Sequence, residues 1–262
     1  MELQRRYADI TKQGLGLIAI SYDAPETLKA FAASRGIKFP LISDPGSAII
    51  RRYGLFNETV DPKSRTYGIP HPGTFIVDRK GVVASRFFED AYQERYTTGA
   101  ILSSVGGAPA VRSSTAHLSV TSSISDTEAA PGERLSIVVD VTPARGMHVY
   151  APGKHTYQVV RLEIDPQPWL KVHPMVYPAS TIYHFKPLDE RVEVFEKPFR
   201  LRRDLTLSAT PEGQKLLAGM TSAIVSGTLE YQACDDKVCF NPARVPVSFT
   251  IAIKGLDRRP PG

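Results

Sequence analysis

The stretch LEYQACDDKVCFNPARVPVSFTI, residues 229–251, joins a short cysteine-bearing loop to a segment of alternating residues. From residue 245 to residue 253, one face receives only apolar side chains: Val245, Val247, Phe249, Ile251 and Ile253. The intervening positions carry small or polar residues. A period of two is typical of a half-buried β-strand. The sequence therefore predicts a strand that follows closely on the loop containing Cys234 and Cys239.

The same period of two recurs through the second half of the chain. It is visible in LSIVVDV (135–141), FRLRRDLTL (199–207) and AIVSGTLEYQA (223–233), with Pro and Gly breaks between segments. About eight such segments predict an antiparallel β-sandwich over residues 117–256. The stretch TPEGQKLLAGM (210–220) predicts a short helix or an excursion, and residues 257–262 are expected to form a tail.

Residues 1–102 have a different pattern, in which short apolar runs alternate with helical segments. DAPETLKAFAASRG (23–36) predicts a helix with Asp23 as its N-cap, an early Pro25 and a stop at Gly36. GTFIVDRKGVVASRFFE (73–89) predicts two strands joined by a turn at 79–81, and QERYTTGAILSS (93–104) predicts a closing helix. This is an α/β domain. The small and polar residues 103–116 predict a linker.

Composition excludes some classes of function. The 262 residues are 42% hydrophobic and 23% charged, with a net charge of +5 that is spread along the chain. No basic stripe interleaved with aromatic residues argues for nucleic-acid binding. No apolar run approaches the roughly 20 residues that span a bilayer, so we expect a soluble chain without membrane insertion.

The two cysteines could form a structural staple, half of a metal site or a redox pair. Closing so short a loop removes only about 2 kcal/mol of unfolded-state entropy, which makes a stabilising staple a poor explanation. Zinc needs four ligands, and this loop supplies two cysteines. Asp235 and Asp236 would raise the pKa of a neighbouring thiol, whereas Lys237 would lower it. The residues favour a redox pair and leave a structural disulfide as the alternative.

The first region resembles the AhpC/TSA redoxin branch of the thioredoxin fold. The similarity rests on FPLISDP (39–45) before a short helix ending in YG, and on a proline before TFIVDRKG (74–81). The resemblance implies that Pro72 is a cis-proline opposite an active-site cysteine. Residues 1–116 contain no cysteine, and the first helix begins without a capping residue. We therefore expect an incomplete domain, with its central strand and its reactive cysteine upstream of residue 1.

The second region resembles the N-terminal, extracytoplasmic domain of DsbD thiol:disulfide interchange proteins. The similarity is carried by GMHVYAPG (146–153) and by the motif YQAC….VCFNP, which includes Tyr231 and Phe240. It implies an immunoglobulin-like sandwich with Cys234 and Cys239 as the redox pair, although four residues separate them here and five in the best-known members. It also implies a shielding cap loop, for which YHFKPLDE (183–190) is the candidate, with Phe185 or Tyr183 at its tip.

These resemblances imply thiol–disulfide exchange in a periplasmic or otherwise extracytoplasmic compartment. The expected partners are proteins with thiols or disulfides, a membrane thiol reductase among them, and neither an organic cofactor nor a metal is required. One alternative is a peroxiredoxin-type antioxidant whose reactive cysteine lies upstream. Another is a binding sandwich with a structural disulfide and no enzymatic activity.

Overall fold

The computed structural model describes residues 2–88, 94–103, 110–186 and 189–255. They fall into two compact units, with the division between residues 92 and 93. No helix among these residues is long and apolar enough to cross a membrane.

The first unit contains four short helices and four short strands. In chain order they are α1 (Glu2–Arg5), α2 (Tyr7–Lys12), β1 (Ala19–Ser21), α3 (Pro25–Arg35), β2 (Leu41–Ser43), α4 (Ala48–Arg52), β3 (Gly73–Val77) and β4 (Val83–Phe88). The alternation of helix and strand confirms the α/β prediction for this region.

Helix α3 shows how its sequence sets its ends. Pro25 occupies the first turn, where its missing N–H costs no hydrogen bond, and Gly36 ends the helix in the left-handed conformation at φ 61°. The N-cap is Ala24, not the predicted Asp23, and it makes no side-chain capping bond. The Asp23 carboxylate instead accepts a hydrogen bond from the Ser21 hydroxyl at 2.5 Å. The prediction was therefore wrong by one residue, because a local polar partner competes for Asp23.

The strands of the first unit form two separate ladders. β1 pairs in parallel with β2, and β3 pairs with β4 in an antiparallel hairpin. The hairpin turn is stabilised by Asp78, whose Oδ1 accepts from the backbone N–H groups of Lys80 and Val82 at 2.8 and 2.9 Å. Within residues 2–88, no strand joins the two ladders. The apolar side chains that this part of the chain buries are few: Ile10, Phe39, Ile50 and Phe87.

Pro72 corrects one expectation. It directly precedes β3, as the redoxin resemblance requires, but the described residues contain no cis peptide bond, so the bond before Pro72 is trans. Pro70 forms an isolated bridge with Phe56 in the same loop. The two prolines therefore shape the chain as it enters β3, and nothing marks Pro72 as the partner of a cysteine. A trans bond is the majority state for X–Pro in folded proteins.

The second unit is almost entirely β-structure. Its elements are β5 (Arg95–Tyr96), α5 (Thr98–Ser103), β6 (Ala110–Ser114), β7 (Leu118–Ile124), β8 (Glu128–Ala129), β9 (Glu133–Pro143), β10 (His148–Tyr150), β11 (Arg161–Ile164), β12 (Leu170–Val176), β13 (Thr181–Phe185), β14 (Glu190–Phe195), β15 (Phe199–Leu207), α6 (Pro211–Leu217), β16 (Ser222–Tyr231), β17 (Ala233–Cys234) and β18 (Ala243–Ile253).

Three sheets enclose the core of the second unit. One has the order β12-β15-β9-β7-β6, with β5 also paired to β9, and a second has the order β11-β16-β18-β8. The third and smallest, β13-β14-β10-β17, carries the cysteine pair. Residues 245, 247, 249 and 251 of β18 are buried and alternate with exposed ones, which confirms the predicted period of two. Helix α6 begins after Thr210, whose hydroxyl accepts from the Gly213 N–H, and confirms the predicted short helix.

The start of the second unit differs from the predicted boundaries. Residues 110–114, which the sequence places in a linker, form β6 and pair with β7. The predicted closing helix exists as α5, but it belongs to the second unit. A polar strand such as AVRSS is held by backbone hydrogen bonds, so it leaves no hydrophobic alternation in the sequence to reveal it.

A buried polar network ties the first described residues of the second unit to its largest sheet. The guanidinium of Arg134 in β9 donates to Glu94 at 2.5 Å and to the Tyr96 hydroxyl at 3.0 Å. Tyr96 donates in turn to Asp204 at 3.0 Å, and Lys171 donates to the second oxygen of Glu94 at 2.6 Å. The Arg134 side chain is 5% exposed and that of Glu94 is 12% exposed, so each charge depends on the other for compensation.

Substituting Glu94→Gln should destabilise the second unit by about 3 kcal/mol, because it leaves the Arg134 charge buried without its partner. Urea unfolding followed by the fluorescence of Trp169, the only tryptophan and part of the core of this unit, measures the loss. Asp140→Asn removes the exposed ion pair with Arg200 and should cost less than about 1 kcal/mol. Equal effects of the two substitutions would contradict the role given to Glu94.

Amide hydrogen exchange on the full chain should protect the second unit far better than the first. The amides of β9, β15, β16 and β18 lie over a large apolar core, whereas the first unit has two short ladders over few buried side chains. Local opening is easiest where buried apolar contacts are few. Protection factors for β1 and β2 as high as those for β16 would contradict this expectation.

Candidate functional site

The two cysteines lie at the loop that connects β16 to β18. Cys234 ends β17, Cys239 bridges back to it, and the two form a disulfide with a Cα–Cα distance of 4.1 Å. Asp235 shapes the turn between them, because its Oδ1 accepts from the backbone N–H groups of Lys237 and Val238 at 2.7 Å each. These donors lower the pKa of Asp235, so it is a carboxylate at neutral pH.

The two sulfur-bearing residues differ sharply in exposure. Cys234 is 1% exposed, whereas Cys239 is exposed. Of the two residues, Cys239 is therefore the more accessible to a thiolate that approaches from solvent. Which sulfur is attacked in thiol–disulfide exchange depends on this access.

Tyr150 contacts both sulfurs. β10 pairs with β17, and the Tyr150 hydroxyl lies 3.2 Å from the Cys234 sulfur and 3.3 Å from the Cys239 sulfur. The disulfide sulfurs carry no hydrogen, so the hydroxyl is the donor. Its ring stacks on Tyr157 at a centroid distance of 4.2 Å, and Tyr157 donates to Glu190 at 2.6 Å. Burial, followed by the nearby Tyr157, Glu190 and Tyr183, raises the pKa of Tyr150 to about 12, so it stays a donor.

Two residues of the predicted cap loop line the pocket around the disulfide. Tyr183 and Phe185, both half-buried in β13, lie there together with His148, Val192 and Lys237. Residues 187 and 188 of the predicted loop lie outside the described residues. The structure therefore brings the two candidate tip residues to the cysteine pair, and their assignment as a cap stays a prediction.

Other predicted supporting residues do not line the pocket. Tyr231 is buried in the main core, and its hydroxyl is 2.8 Å from that of Thr115. Phe240 lies against His117 at a centroid distance of 4.2 Å, and Asp236 is exposed. Tyr231 and Phe240 thus hold the strands on each side of the loop, and neither lines the pocket.

Sequence reasoning missed the role of Tyr150, and with it that of Tyr157. Tyr150 lies inside the quoted motif GMHVYAPG, two residues after His148, so both side chains project from the same face of β10. That spacing could have singled out Tyr150 once the partner strand was known. Tyr157 follows an irregular segment, and no periodicity in the sequence links it to the cysteines. In the described ranges, no three His, Cys, Asp or Glu side chains are grouped to hold a metal ion.

The second unit is thus a β-sandwich with a disulfide in a small pocket, and it follows an α/β unit along the chain. Residues 116–250 match the family described as thiol:disulfide interchange protein DsbD, N-terminal. This match spans more than half of the chain, and the chain belongs to that family. Residues 1–86 match the AhpC/TSA family. Both matches agree with the resemblances read from the sequence, and the fold class is a thioredoxin-like region followed by an immunoglobulin-like sandwich.

Curated relatives match about three tenths of the chain. Alkyl hydroperoxide reductase E of Mycobacterium bovis is 43% identical over 74 residues, which is 28% of this chain and 42% of that protein. Peroxiredoxin Q of Populus jackii is 34% identical over 77 residues, or 29% of this chain and 33% of that protein. The chain thus spans less than half of the length of these relatives.

Solved structures match at low similarity. The N-terminal periplasmic domain of ScsB from Proteus mirabilis is 15% identical with a TM-score of 0.35, covering 53% of this chain and 47% of that one. The DsbD N-terminal domain of Neisseria meningitidis in its reduced form is 16% identical with a TM-score of 0.30, covering 45% and 76%.

Replacing Tyr150 by Phe should slow reduction of the disulfide by dithiothreitol about tenfold. The ring stack on Tyr157 is retained, but the departing thiolate loses a charge-assisted hydrogen bond worth about 1.5–3 kcal/mol. Tyr177→Phe removes a hydroxyl beside the main core and should leave the rate unchanged. Stopped-flow measurement of both variants checks this, and equal rates for Tyr150→Phe and the unmodified chain would contradict it.

Proposed function

We propose that this protein exchanges thiols and disulfides with partner proteins through the Cys234–Cys239 pair. The observation that carries the proposal is the asymmetry of the disulfide, in which Cys239 is exposed and Cys234 is buried beneath Tyr150. A short-loop disulfide with one accessible sulfur in a pocket is the kind that exchanges readily. A purely structural bridge needs neither the pocket nor a shared hydroxyl donor.

The reaction begins at Cys239. A partner thiolate attacks its sulfur, a bond forms between the two sulfurs, and the bond to Cys234 breaks. Cys234 departs as a thiolate toward which the Tyr150 hydroxyl donates. The partner's second thiol, once deprotonated, attacks the partner sulfur that is bonded to Cys239. A disulfide forms within the partner, and Cys239 is released as a thiolate. The pair has then gained two electrons, and the partner dithiol has become a disulfide. The same steps in reverse reduce a partner's disulfide.

The remaining pocket residues act by charge and by shielding. Lys237 and Asp235 have opposite effects on the pKa of the cysteine thiols. A nearby cation lowers the pKa of a thiol, and a nearby anion raises it. Tyr183 and Phe185 reduce the access of water to Cys234 and leave Cys239 open to a partner. Because Asp236 is exposed and outside the pocket, we assign it a weaker influence than Asp235.

We place this exchange in an oxidising, extracytoplasmic compartment such as the periplasm, because a disulfide persists there. Membership in the DsbD N-terminal family supports this placement. The partners are then proteins with reactive dithiols or disulfides, and a membrane thiol reductase is the proposed electron donor. For the domain boundaries, we propose that the functional sandwich begins near residue 94 rather than 117, since Glu94 and Tyr96 are bonded to Arg134.

The AhpC/TSA match raises peroxidase activity as a second candidate. Residues 1–116 contain no cysteine, and both cysteines of the chain are joined in the second unit. Consumption of an alkyl hydroperoxide by these 262 residues would therefore have to depend on Cys234 or Cys239, and we place it on Cys239 because that residue is exposed. A Cys239→Ser variant that consumes hydroperoxide as fast as the unmodified protein would exclude that route.

Equilibration of the full chain with glutathione or dithiothreitol buffers tests the main proposal. We expect a reduction potential above about −300 mV. Structural disulfides, which resist reduction, have potentials below that value. Mass spectrometry after alkylation measures the reduced fraction. A potential well below that value would identify the bridge as structural.

Trapping variants test the assignment of the two sulfurs. Cys234→Ser leaves the exposed thiol of Cys239, which should attack oxidised glutathione, release reduced glutathione and accumulate a stable mixed disulfide, because no second protein thiol is left to displace it. The matched variant, Cys239→Ser, leaves only the buried thiol and should form at least about tenfold less adduct, because access limits exchange. Equal trapping by the two variants would contradict attack at Cys239.

A further inference from the structure

His148 lies across the β10–β17 ladder from Cys234, the buried cysteine of the pair. It is the register partner of Cys234 across the β10–β17 ladder, so the two side chains project from the same face of the sheet. Directly opposed residues in antiparallel strands have Cβ atoms about 4.5–5.5 Å apart, which puts the imidazole within reach of the sulfur. Both residues are buried, and both line the redox pocket.

The groups that face His148 come from every side of this small sheet. Tyr183 of β13 lies against its ring at 4.4 Å between centroids, and Tyr150 of its own strand meets it edge-on at 5.8 Å. Two carboxylates act on it, those of Glu196 beyond β14 and Asp235 beyond β17. Burial lowers the pKa of His148 below its ordinary value, and the two carboxylates offset only part of this effect. The ring is therefore a neutral base at pH 7, with negative charges placed to stabilise its protonated form.

The exchange reaction requires such a base. When the reduced pair attacks a partner's disulfide, Cys239 becomes bonded to the partner and Cys234 must then displace it. A buried thiol has a raised pKa and is a poor nucleophile until it loses its proton. Tyr150, with a pKa of about 12, stays protonated and cannot accept that proton at pH 7. His148 is the one histidine among the residues that line the pocket, its ring is uncharged, and it is the cross-strand partner of Cys234.

We propose that His148 is the general base that deprotonates Cys234 in the resolving step, an assignment that rests on the thiol–disulfide exchange proposed above. The proton on the Cys234 sulfur moves to the imidazole, and the resulting thiolate attacks the sulfur of Cys239. The Cys234–Cys239 bond forms, the bond from Cys239 to the partner's sulfur breaks, and the partner departs as a thiolate. Over the whole exchange the two cysteines lose two electrons, which the partner's disulfide gains. The imidazolium then passes its proton to water or to the departing thiolate.

The experiment follows the glutathione adduct of the reduced full chain. Reduced protein is mixed with oxidised glutathione, quenched with acid and analysed by mass spectrometry, so that formation and decay of the adduct on Cys239 are measured separately. In the unmodified protein, the decay rate should rise with pH as the imidazole loses its proton and then level off. His148→Gln and His148→Phe should slow the decay at pH 7 by about tenfold or more. Their rates should rise instead with ionisation of the thiol, near pH 8.5 or above.

Two variants and one titration separate this role from a structural one. His148→Phe keeps an aromatic ring against Tyr183, and circular dichroism checks that both His148 variants are folded. His184→Gln is the matched control, because that exposed histidine pairs with Asp189 and does not line the pocket; it should keep the decay rate and its pH profile. NMR titration of the His148 ring in the reduced protein needs no histidine substitution, and its curve should differ from that in reduced Cys234→Ser.

Decay of the adduct with the same pH profile in His148→Gln, His148→Phe and the unmodified protein would overturn the assignment. Identical NMR titration curves with and without the Cys234 thiol would also overturn it. A different result applies to the exchange reaction itself. If the unmodified chain forms no glutathione adduct at all, the proposed function fails and the role of His148 fails with it. Normal adduct formation with unaltered decay in the variants contradicts only the role of His148.

Discussion

The register of β16 against β18 is the constraint on which the site depends. The two strands pair from Ser222 opposite Ala252 to Tyr231 opposite Ala243, and the cysteine loop is the connection between them. Along the whole pairing, buried positions alternate with exposed or half-buried ones. A slip of one residue would turn the buried side chains outward, so the hydrophobic pattern fixes the register strongly. The same pattern therefore fixes where the loop emerges and where Cys234 meets β10.

One further strand pairing, that of β10 with β17, brings the other pocket residues to the cysteine pair. β10 contributes His148 and Tyr150 to a single face opposite β17, and β14 and β13 extend the sheet with Glu190, Val192 and Tyr183. Cys234 is thus enclosed by protein on the β10 side, whereas Cys239, for which we propose the reaction with partners, is exposed. A hydroxyl that remains a donor and an imidazole that remains a base sit two residues apart on one short strand. Donor and acceptor functions are separated by environment, because burial raises the pKa of a tyrosine and lowers that of a histidine.

Much of the sandwich could be predicted from the sequence, because alternation records which face is buried. The strands at 135–141, 199–207 and 245–253 were predicted on that basis, and the structure confirms them. β6 could not be predicted, since its residues are polar and only backbone pairing to β7 holds it. The prediction that Pro72 is a cis-proline was wrong, because a local sequence motif does not determine the isomer of the peptide bond before the proline. The cysteine pair was evident from spacing, but Tyr150 and Tyr157 reach it from segments about 80 residues away in sequence.

The disulfide itself contributes little to holding this framework together, and that bears on how the site can work. A loop this short removes about 2 kcal/mol of unfolded-state entropy when closed, against about 4.7 kcal/mol for a loop of 100 residues. The strands on each side are held by ten paired positions between β16 and β18 and by a continuous apolar core. Opening the bridge therefore leaves the scaffold that positions Tyr150 and His148 largely intact. A redox pair needs this property, because the reduced and oxidised states must both present the same pocket to a partner.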